Sequence, residues 1–166
     1  MGKGYAVVDV ATTGPAPGDR VIEVAVVHLD RAGRRTDEWC TLVDPRRDFG
    51  PRHGLSPADV RRAPQFAGIA GELAARLSGR VLAAQDLAFC QGFLTAEYAR
   101  LGHDVTVPGL CTGPLDVPKG TALQDARASA RVLVRRLDRI GAVETVRLEV
   151  PRTVRAYAMQ RSGGVR

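Results

Sequence analysis

The residues most suited by type to catalysis or metal binding are one aspartate and three cysteines. Asp9 lies near the end of an apolar run, YAVVDVATTGP at 5–15, and no acidic residue stands beside it. The three cysteines, Cys40, Cys90 and Cys111, are far apart in the chain and form no C-x-x-C pair. They therefore indicate neither a disulfide framework nor a zinc knuckle, and reduced thiols in a cytoplasmic protein are the simplest interpretation.

Cys90 has two interpretations. A thiolate near positive charge is a reactive nucleophile and a ligand for soft metals, so Cys90 could perform chemistry in a pocket. No histidine is adjacent to it in the sequence, and a free cysteine commonly behaves as a small buried apolar side chain. The sequence alone leaves both interpretations open.

Length and charge restrict the classes of function. The chain has 166 residues, 45% of them hydrophobic, which suits one globular domain. It has no basic segment followed by an apolar run, and no stretch approaches the ~20 apolar residues that span a bilayer. We therefore expect a soluble, cytoplasmic protein with no membrane partner. The net charge of +6 permits a nucleic-acid partner, although arginines spread along the whole chain give only a weak signal.

Hydrophobic periodicity predicts a mixed α/β protein. The β-branched segments predict an opening antiparallel meander, and later segments alternate between helix and strand. Ser56 and Pro57 predict the start of a short helix. The predicted strands are 4–10, 20–29, 37–43, 80–84 and about 107–111, and the predicted helices are 55–64, 66–78, 88–102 and 122–140.

The segment after the last predicted helix has the pattern of a strand. Val146, Leu148 and Val150 alternate with charged residues, which is the period of a half-buried strand. Such a strand could extend a sheet edge, or it could pair between two chains and make a homodimer.

Five segments in this order resemble the DEDDh 3'–5' exonucleases, the DnaQ-like group of the bacterial proofreading exonuclease subunit. They are VVDVATTG, RVIEVAVVHLD, HGLSPADVRRAP, VLAAQDLAFCQGFLTAEYARLG and ALQDARASARVL. The resemblance implies an RNase H-like fold, which is a five-stranded mixed sheet flanked by helices. It implies an exonuclease-like domain over 1–141, followed by a C-terminal extension over 142–166 that could add a strand.

The same resemblance implies a site built for two divalent metal ions. Members hold Mg²⁺ or Mn²⁺ on four carboxylates and use a histidine as general base. In this sequence Asp9 matches the first carboxylate and Asp125 the last. Ala11, Cys90 and Gly120 occupy the positions of the second carboxylate, the third carboxylate and the histidine. We therefore expect standard exonuclease activity to be absent or trace, with Mg²⁺ or Mn²⁺ bound at most weakly by the two aspartates and no other cofactor.

Members also carry a few dozen residues between the fifth strand and the last carboxylate, including a helix and a loop over the site. Here residues 112–122 form a short link rich in proline and glycine. The resemblance therefore implies a more open cleft with less surface to hold a substrate.

Four further residues belong to this cleft by the same resemblance. Thr12 and Thr13 match a turn whose backbone meets the terminal nucleotide, although Thr-Thr-Gly also forms ordinary turns. Gln85 and Asp86 replace a His-Asn pair, and Asp86 could either substitute for a lost carboxylate or cap the next helix.

Four more residues receive no catalytic role. Glu23 matches a glutamate that supports structure near the site, and His53 matches a His-Gly pair. His28 and His103 are expected on the surface.

Three functions remain open. The first is an exonuclease-fold protein that has lost most catalytic residues but still binds single-stranded nucleic acid or serves as an interaction module. The second is an enzyme whose former nuclease cleft accepts a small molecule, for example in specialised metabolism, because fold does not dictate function. The third is a weak metal-dependent 3'–5' exonuclease using Asp9, Asp125 and Asp86.

Overall fold

A five-stranded mixed sheet forms the centre of the protein in a computed structural model that describes residues 2–115 and 119–140. The strands are β1 (Tyr5–Thr12), β2 (Val21–Leu29), β3 (Arg35–Leu42), β4 (Val81–Ala84) and β5 (Gly109–Cys111). Their order across the sheet is β3-β2-β1-β4-β5. β1 pairs antiparallel with β2 and parallel with β4, so the sheet is mixed, as the resemblance implies.

Helices cover both faces of this sheet. They are α1 (Pro57–Val60), α2 (Phe66–Leu77), α3 (Leu87–Arg100) and α4 (Ala122–Ile140). α1 begins after Ser56 as predicted, and the Asp59 carboxylate accepts a hydrogen bond of 2.7 Å from the Ser56 backbone N–H. All nine residues of β2 are buried, because this strand lies between two neighbours and beneath helices.

Alternate residues of β1 belong to opposite layers of the core. Ala6, Val8 and Val10 pack in the cluster that contains the buried residues of α2 and α3. Tyr5 and Val7 pack with the buried side of α4. Since side chains alternate along a strand, Asp9 shares the face of Tyr5 and Val7 and is directed towards the α4 layer.

The helices α3 and α4 each bury one apolar face. Phe93 and Leu94 of α3 are buried, whereas Phe89 and Leu101 are only partly buried. On α4 the stripe of small and aliphatic residues packs against the sheet, and its buried or partly buried members are Leu123, Ala126, Ala130, Leu133 and Leu137.

One expectation about the surface is wrong. His28 is 6% exposed, and its Nε2–H lies 3.0 Å from the backbone carbonyl oxygen of Arg76 on α2. It is buried because α2 covers this end of β2. Burial lowers the pKa of His28, so the neutral imidazole is favoured.

Some expectations concern residues that the structure does not describe. The predicted strand at 143–150, the homodimer it could form and the extension at 142–166 lie outside the described residues. Among the described helices, none has the length and apolar character needed to cross a bilayer.

Candidate functional site

Three carboxylates gather where β1 and β2 meet the beginning of α4. Asp9 lies on β1, Glu23 on β2 and Asp125 in the first turn of α4. Asp9 is paired with Ala25 across the β1–β2 ladder, and Ala11 is paired with Glu23. The period of two places Asp9 and Glu23 on the face that α4 covers, which brings both close to Asp125.

Two of these carboxylates hold the N-terminus of α4. Glu23 accepts a hydrogen bond of 2.9 Å from the Ala122 backbone N–H, and Asp125 accepts one of 3.0 Å from the Gly120 N–H. Both carboxylates are almost fully buried, at 6% and 4% exposure. The first N–H groups of a helix lack partners within the helix and carry partial positive charge, so acidic side chains there are stabilising.

The Asp9 carboxylate has a different environment. Within the described residues no hydrogen bond ties it down, and it is only partly buried. Desolvation, followed by repulsion from Asp125, raises the pKa of Asp9 to about 7, while the positive charge of Lys119 opposes the shift and Glu23 adds to it. The protonated form of Asp9 is therefore populated at neutral pH.

Cys90 lies in the core beneath this cluster. It is 2% exposed, and its Sγ is 3.9 Å from the carbonyl oxygen of Val8. Burial, followed by the negative charges of Asp9 and Asp86, raises the pKa of the Cys90 thiol far above its usual range. The structure therefore favours the buried apolar interpretation and counts against a reactive thiolate.

The threonine hydroxyl groups at the end of β1 and in the turn after it form hydrogen bonds within the turn. The Thr12 hydroxyl donates to the Gly14 carbonyl at 2.7 Å. The Thr13 hydroxyl donates to Asp19 at 2.9 Å and accepts from the Arg20 N–H at 3.0 Å. Both threonines are buried, so their side chains stabilise the turn. This supports the ordinary-turn interpretation of both side chains.

Asp86 caps α3. Its carboxylate accepts a hydrogen bond of 3.0 Å from the Phe89 backbone N–H, which favours the capping role over a substitute ligand. Gln85 contributes its backbone carbonyl, which accepts from the Cys111 thiol at 3.0 Å.

The two remaining replaced positions lie beside the carboxylates. Ala11 is buried and packs in a small cluster with Ile22 and Val60. Gly120 lies two residues before the first residue of α4, and a Cβ there would collide with the side-chain oxygen of Gln124. A larger residue at this position requires Gln124 to move.

Sequence analysis missed a buried ion pair next to the turn. Glu97 of α3 is 1% exposed and receives two hydrogen bonds from Arg20, at 2.7 and 2.8 Å. It also accepts from the Val21 N–H at 3.2 Å. The signal in the sequence is an acidic residue on the same helical face as Phe93 and Leu94.

His53 follows an irregular stretch of backbone on the carboxylate side of the molecule. Its backbone is left-handed, with φ of 52°, and its side chain is partly buried. Burial and the charge of Lys119 lower the pKa of His53, while Asp125 and Glu23 act in the opposite direction. The imidazole therefore lies within electrostatic range of the carboxylates.

Comparison with known proteins identifies the fold. The chain is 30% identical over 115 residues to a DNA polymerase III subunit epsilon-like protein of Rhodobacter capsulatus, an alignment that covers 65% of this chain and 16% of the relative. The structure of exonuclease I without ligand matches 81% of this chain and 42% of its own, with a TM-score of 0.68 and 12% identity. Cell-death related nuclease 4 matches 86% of this chain and 67% of its own, with a TM-score of 0.58 and 14% identity.

The chain has the DnaQ-like exonuclease fold. No family model matches the sequence. The chain spans only about a sixth of the length of its curated relative.

The DnaQ-like exonuclease fold implies a two-metal centre, and the described residues do not fit one. Within residues 2–115 and 119–140, no group of three or more His, Cys, Asp or Glu side chains is arranged to hold a metal ion. A protonated thiol at Cys90 supplies no oxygen for a hard cation.

Proposed function

We propose that this chain is an exonuclease-fold protein that is not a competent two-metal 3'–5' exonuclease. The observation that carries the proposal is the state of its carboxylates. Within the described residues, no group of three or more His, Cys, Asp or Glu side chains is arranged to hold a metal ion. Two Mg²⁺ ions, each of which needs several oxygen ligands, require a larger set of convergent carboxylates.

The replaced positions support the same proposal. By resemblance, Ala11 and Cys90 stand where the fold's nucleases have carboxylates, and Gly120 stands where they have a histidine. Loss of a general base alone typically lowers a rate by ~10²–10⁴. Loss of two metal ligands also removes the charge that stabilises the attacking and leaving oxygens.

Weak binding of single-stranded nucleic acid is the second part of the proposal. Exonuclease I of E. coli has been crystallised with a dT13 oligonucleotide. This chain shares the fold and has a net charge of +6, and positive charge attracts phosphates without reading base sequence. A cytoplasmic location, where its thiols stay reduced, is also part of the proposal.

A nuclease assay tests the loss of activity. End-labelled single-stranded DNA is incubated with the purified chain and with its Asp9→Asn variant, in Mn²⁺ and separately in Mg²⁺. We expect no metal-dependent trimming by the wild-type chain above the level of the variant. Trimming that the variant abolishes would overturn the proposal and make the chain a residual nuclease.

A binding assay tests the second part. We expect fluorescence anisotropy with labelled oligothymidylate to show weak binding that decreases as salt is added, because released counterions drive such binding. An absence of binding at low salt would remove nucleic acid from the proposed function and leave an interaction module.

A further inference from the structure

A groove lies on the face of the sheet that α4 covers, at a distance from the carboxylates. The proposed function assigns no role to the residues that line it. Its volume is about 620 Å³. The floor is apolar and the rim is cationic. The floor residues are Val27, Leu29, Ala130 and Val134, and the rim arginines are Arg35, Arg127, Arg131 and Arg135.

This groove is separate from the candidate site. Val27 and Leu29 lie at the end of β2, whereas Glu23 lies near its beginning. Arg131 and Arg135 follow Asp125 by six and ten residues on α4. At 1.5 Å per residue, they lie roughly 9–15 Å further along the helix axis.

The arginines form a stripe along α4. Arg127, Arg131, Arg135 and Arg139 recur every four residues, so they occupy neighbouring positions on one side of the helix. Like charges at this spacing repel each other and destabilise the helix. An external anion beside them would relieve the repulsion.

Internal carboxylates neutralise only part of this stripe. Glu38 of β3 accepts hydrogen bonds from Arg127 and also pairs with Arg35 at 3.1 Å. Arg131 and Arg135 are exposed and form no ion pair with any described residue. Two guanidinium groups therefore line the groove with donors that no described residue uses.

The lining distinguishes between classes of anionic partner. Binding of single-stranded nucleic acid generally combines arginines with aromatic side chains on which bases stack, and among the described residues no aromatic side chain lines this groove. An aliphatic floor instead accepts an apolar side chain, and guanidinium groups bind carboxylates through paired hydrogen bonds. We propose that this groove binds an acidic peptide segment of a partner protein, whose carboxylates pair with Arg131 and Arg135 while an apolar side chain contacts Val134. This inference does not depend on the proposed loss of nuclease activity.

Fluorescence anisotropy with a designed peptide tests the proposal. The probe is a labelled synthetic peptide in which one leucine is flanked by aspartates and glutamates, added to the full chain. We expect saturable binding that is weakened about tenfold or more by Arg131→Glu with Arg135→Glu. Replacing the leucine of the probe by glycine is expected to weaken binding as well.

A matched double variant distinguishes the effect of charge in the groove from the effect of the net charge on peptide binding. Arg61→Glu with Arg62→Glu changes the net charge by the same amount at two exposed positions outside the groove. We expect it to leave peptide binding within about twofold of wild type. An equal loss in both double variants, or no saturable binding at all, would overturn the proposal.

Two further measurements complete the test. Val134→Asn alters the floor without changing charge and is expected to weaken peptide binding at least about threefold, which decides the matter if the arginine variant fails to fold. Circular dichroism confirms folding of each variant. Binding of oligothymidylate through Arg131 and Arg135 without peptide binding would overturn the proposal and assign the groove to nucleic acid.

Discussion

The Glu23 carboxylate accepts a hydrogen bond of 2.9 Å from the Ala122 backbone N–H, which ties β2 to the beginning of α4. The positive end of the α4 dipole thus provides the counter-charge for a buried acid at the end of the sheet. Asp125 is held in a similar way by the Gly120 N–H. Carboxylates that could otherwise bind a cation therefore stabilise the fold.

Removing the Glu23 side chain should destabilise the protein. Glu23→Ala leaves the buried Ala122 N–H without an acceptor, and we expect the free energy of unfolding to fall by about 1–3 kcal/mol in urea denaturation. Glu72→Ala is a matched control, because Glu72 is exposed and forms only a surface pair with Arg76, so a change under about 1 kcal/mol is expected. Equal effects of the two substitutions would contradict the role of Glu23.

Asp9→Asn should stabilise the protein at neutral and alkaline pH. The pKa of Asp9 is about 7 in the folded state and 3.8 in the unfolded state. Between pH 3.8 and pH 7, Asp9 is therefore mostly protonated in the folded chain and mostly ionised in the unfolded chain. Stability conferred by the protonated carboxyl is complete below about pH 4 and is lost as the pH rises through about 7.

The gain from Asp9→Asn at pH 8 should be roughly 1–3 kcal/mol, after a reduction for the partial exposure of Asp9. Thermal or urea denaturation with chelator present, repeated from pH 4 to pH 8, measures it. A gain in stability that is independent of pH, or a loss of stability at pH 8, would show that the pKa of Asp9 is not raised in the folded state.

The three cysteines should react with alkylating reagents at very different rates. Cys111 is exposed and should be modified first. Cys40 is exposed as a residue, but partial desolvation of its thiol and the hydrogen bond that this thiol donates to Glu23 raise its pKa to about 12, which should make it slow to react at pH 8. Cys90 should react only on unfolding. Peptide mapping by mass spectrometry after timed exposure to iodoacetamide measures each rate, and rapid modification of native Cys90 would reinstate the reactive-thiol interpretation.

Breaking the Arg20–Glu97 pair should be costly. The Arg20 side chain is 27% exposed but Glu97 is 1% exposed, so Arg20→Leu leaves a buried carboxylate whose remaining cation, Arg100, is 3.5 Å away. We expect the free energy of unfolding to fall by about 2–4 kcal/mol in chemical denaturation. The control is Arg34→Leu, which removes an exposed pair with Asp30 and should cost less than about 1 kcal/mol. Similar losses would indicate that the buried pair contributes little.

The order and type of the elements could be predicted because apolar periodicity and turn residues are local signals. The end of β1 could not be predicted from local signals, because Ala11 and Thr12 belong to the strand through their pairing with Glu23 and Val21 of β2. Burial of His28 likewise depends on α2, which lies far away in the sequence. Helix starts were predicted more closely, since Ser56 and Pro57 mark a start by themselves, whereas α1 ends at Val60, four residues before its predicted end.

The candidate site, like the fold, could be predicted from the sequence only in part. Resemblance identified Asp9, Asp125 and the supporting role of Glu23, because these positions lie in recognisable segments. The hydrogen bonds that engage Glu23 and Asp125 could not be predicted, since they depend on where the first turn of α4 meets the sheet. The Glu97 carboxylate was missed because its partner, Arg20, is 77 residues away.

The most direct test of the account is the number of Mn²⁺ ions bound by the chain at equilibrium, measured by the paramagnetic resonance signal of free Mn²⁺ for the wild type and Asp9→Asn. We predict at most one ion per chain, with a dissociation constant weaker than about 1 mM. Two ions bound per chain with micromolar affinity, both lost in Asp9→Asn, would contradict the account and establish a working two-metal site.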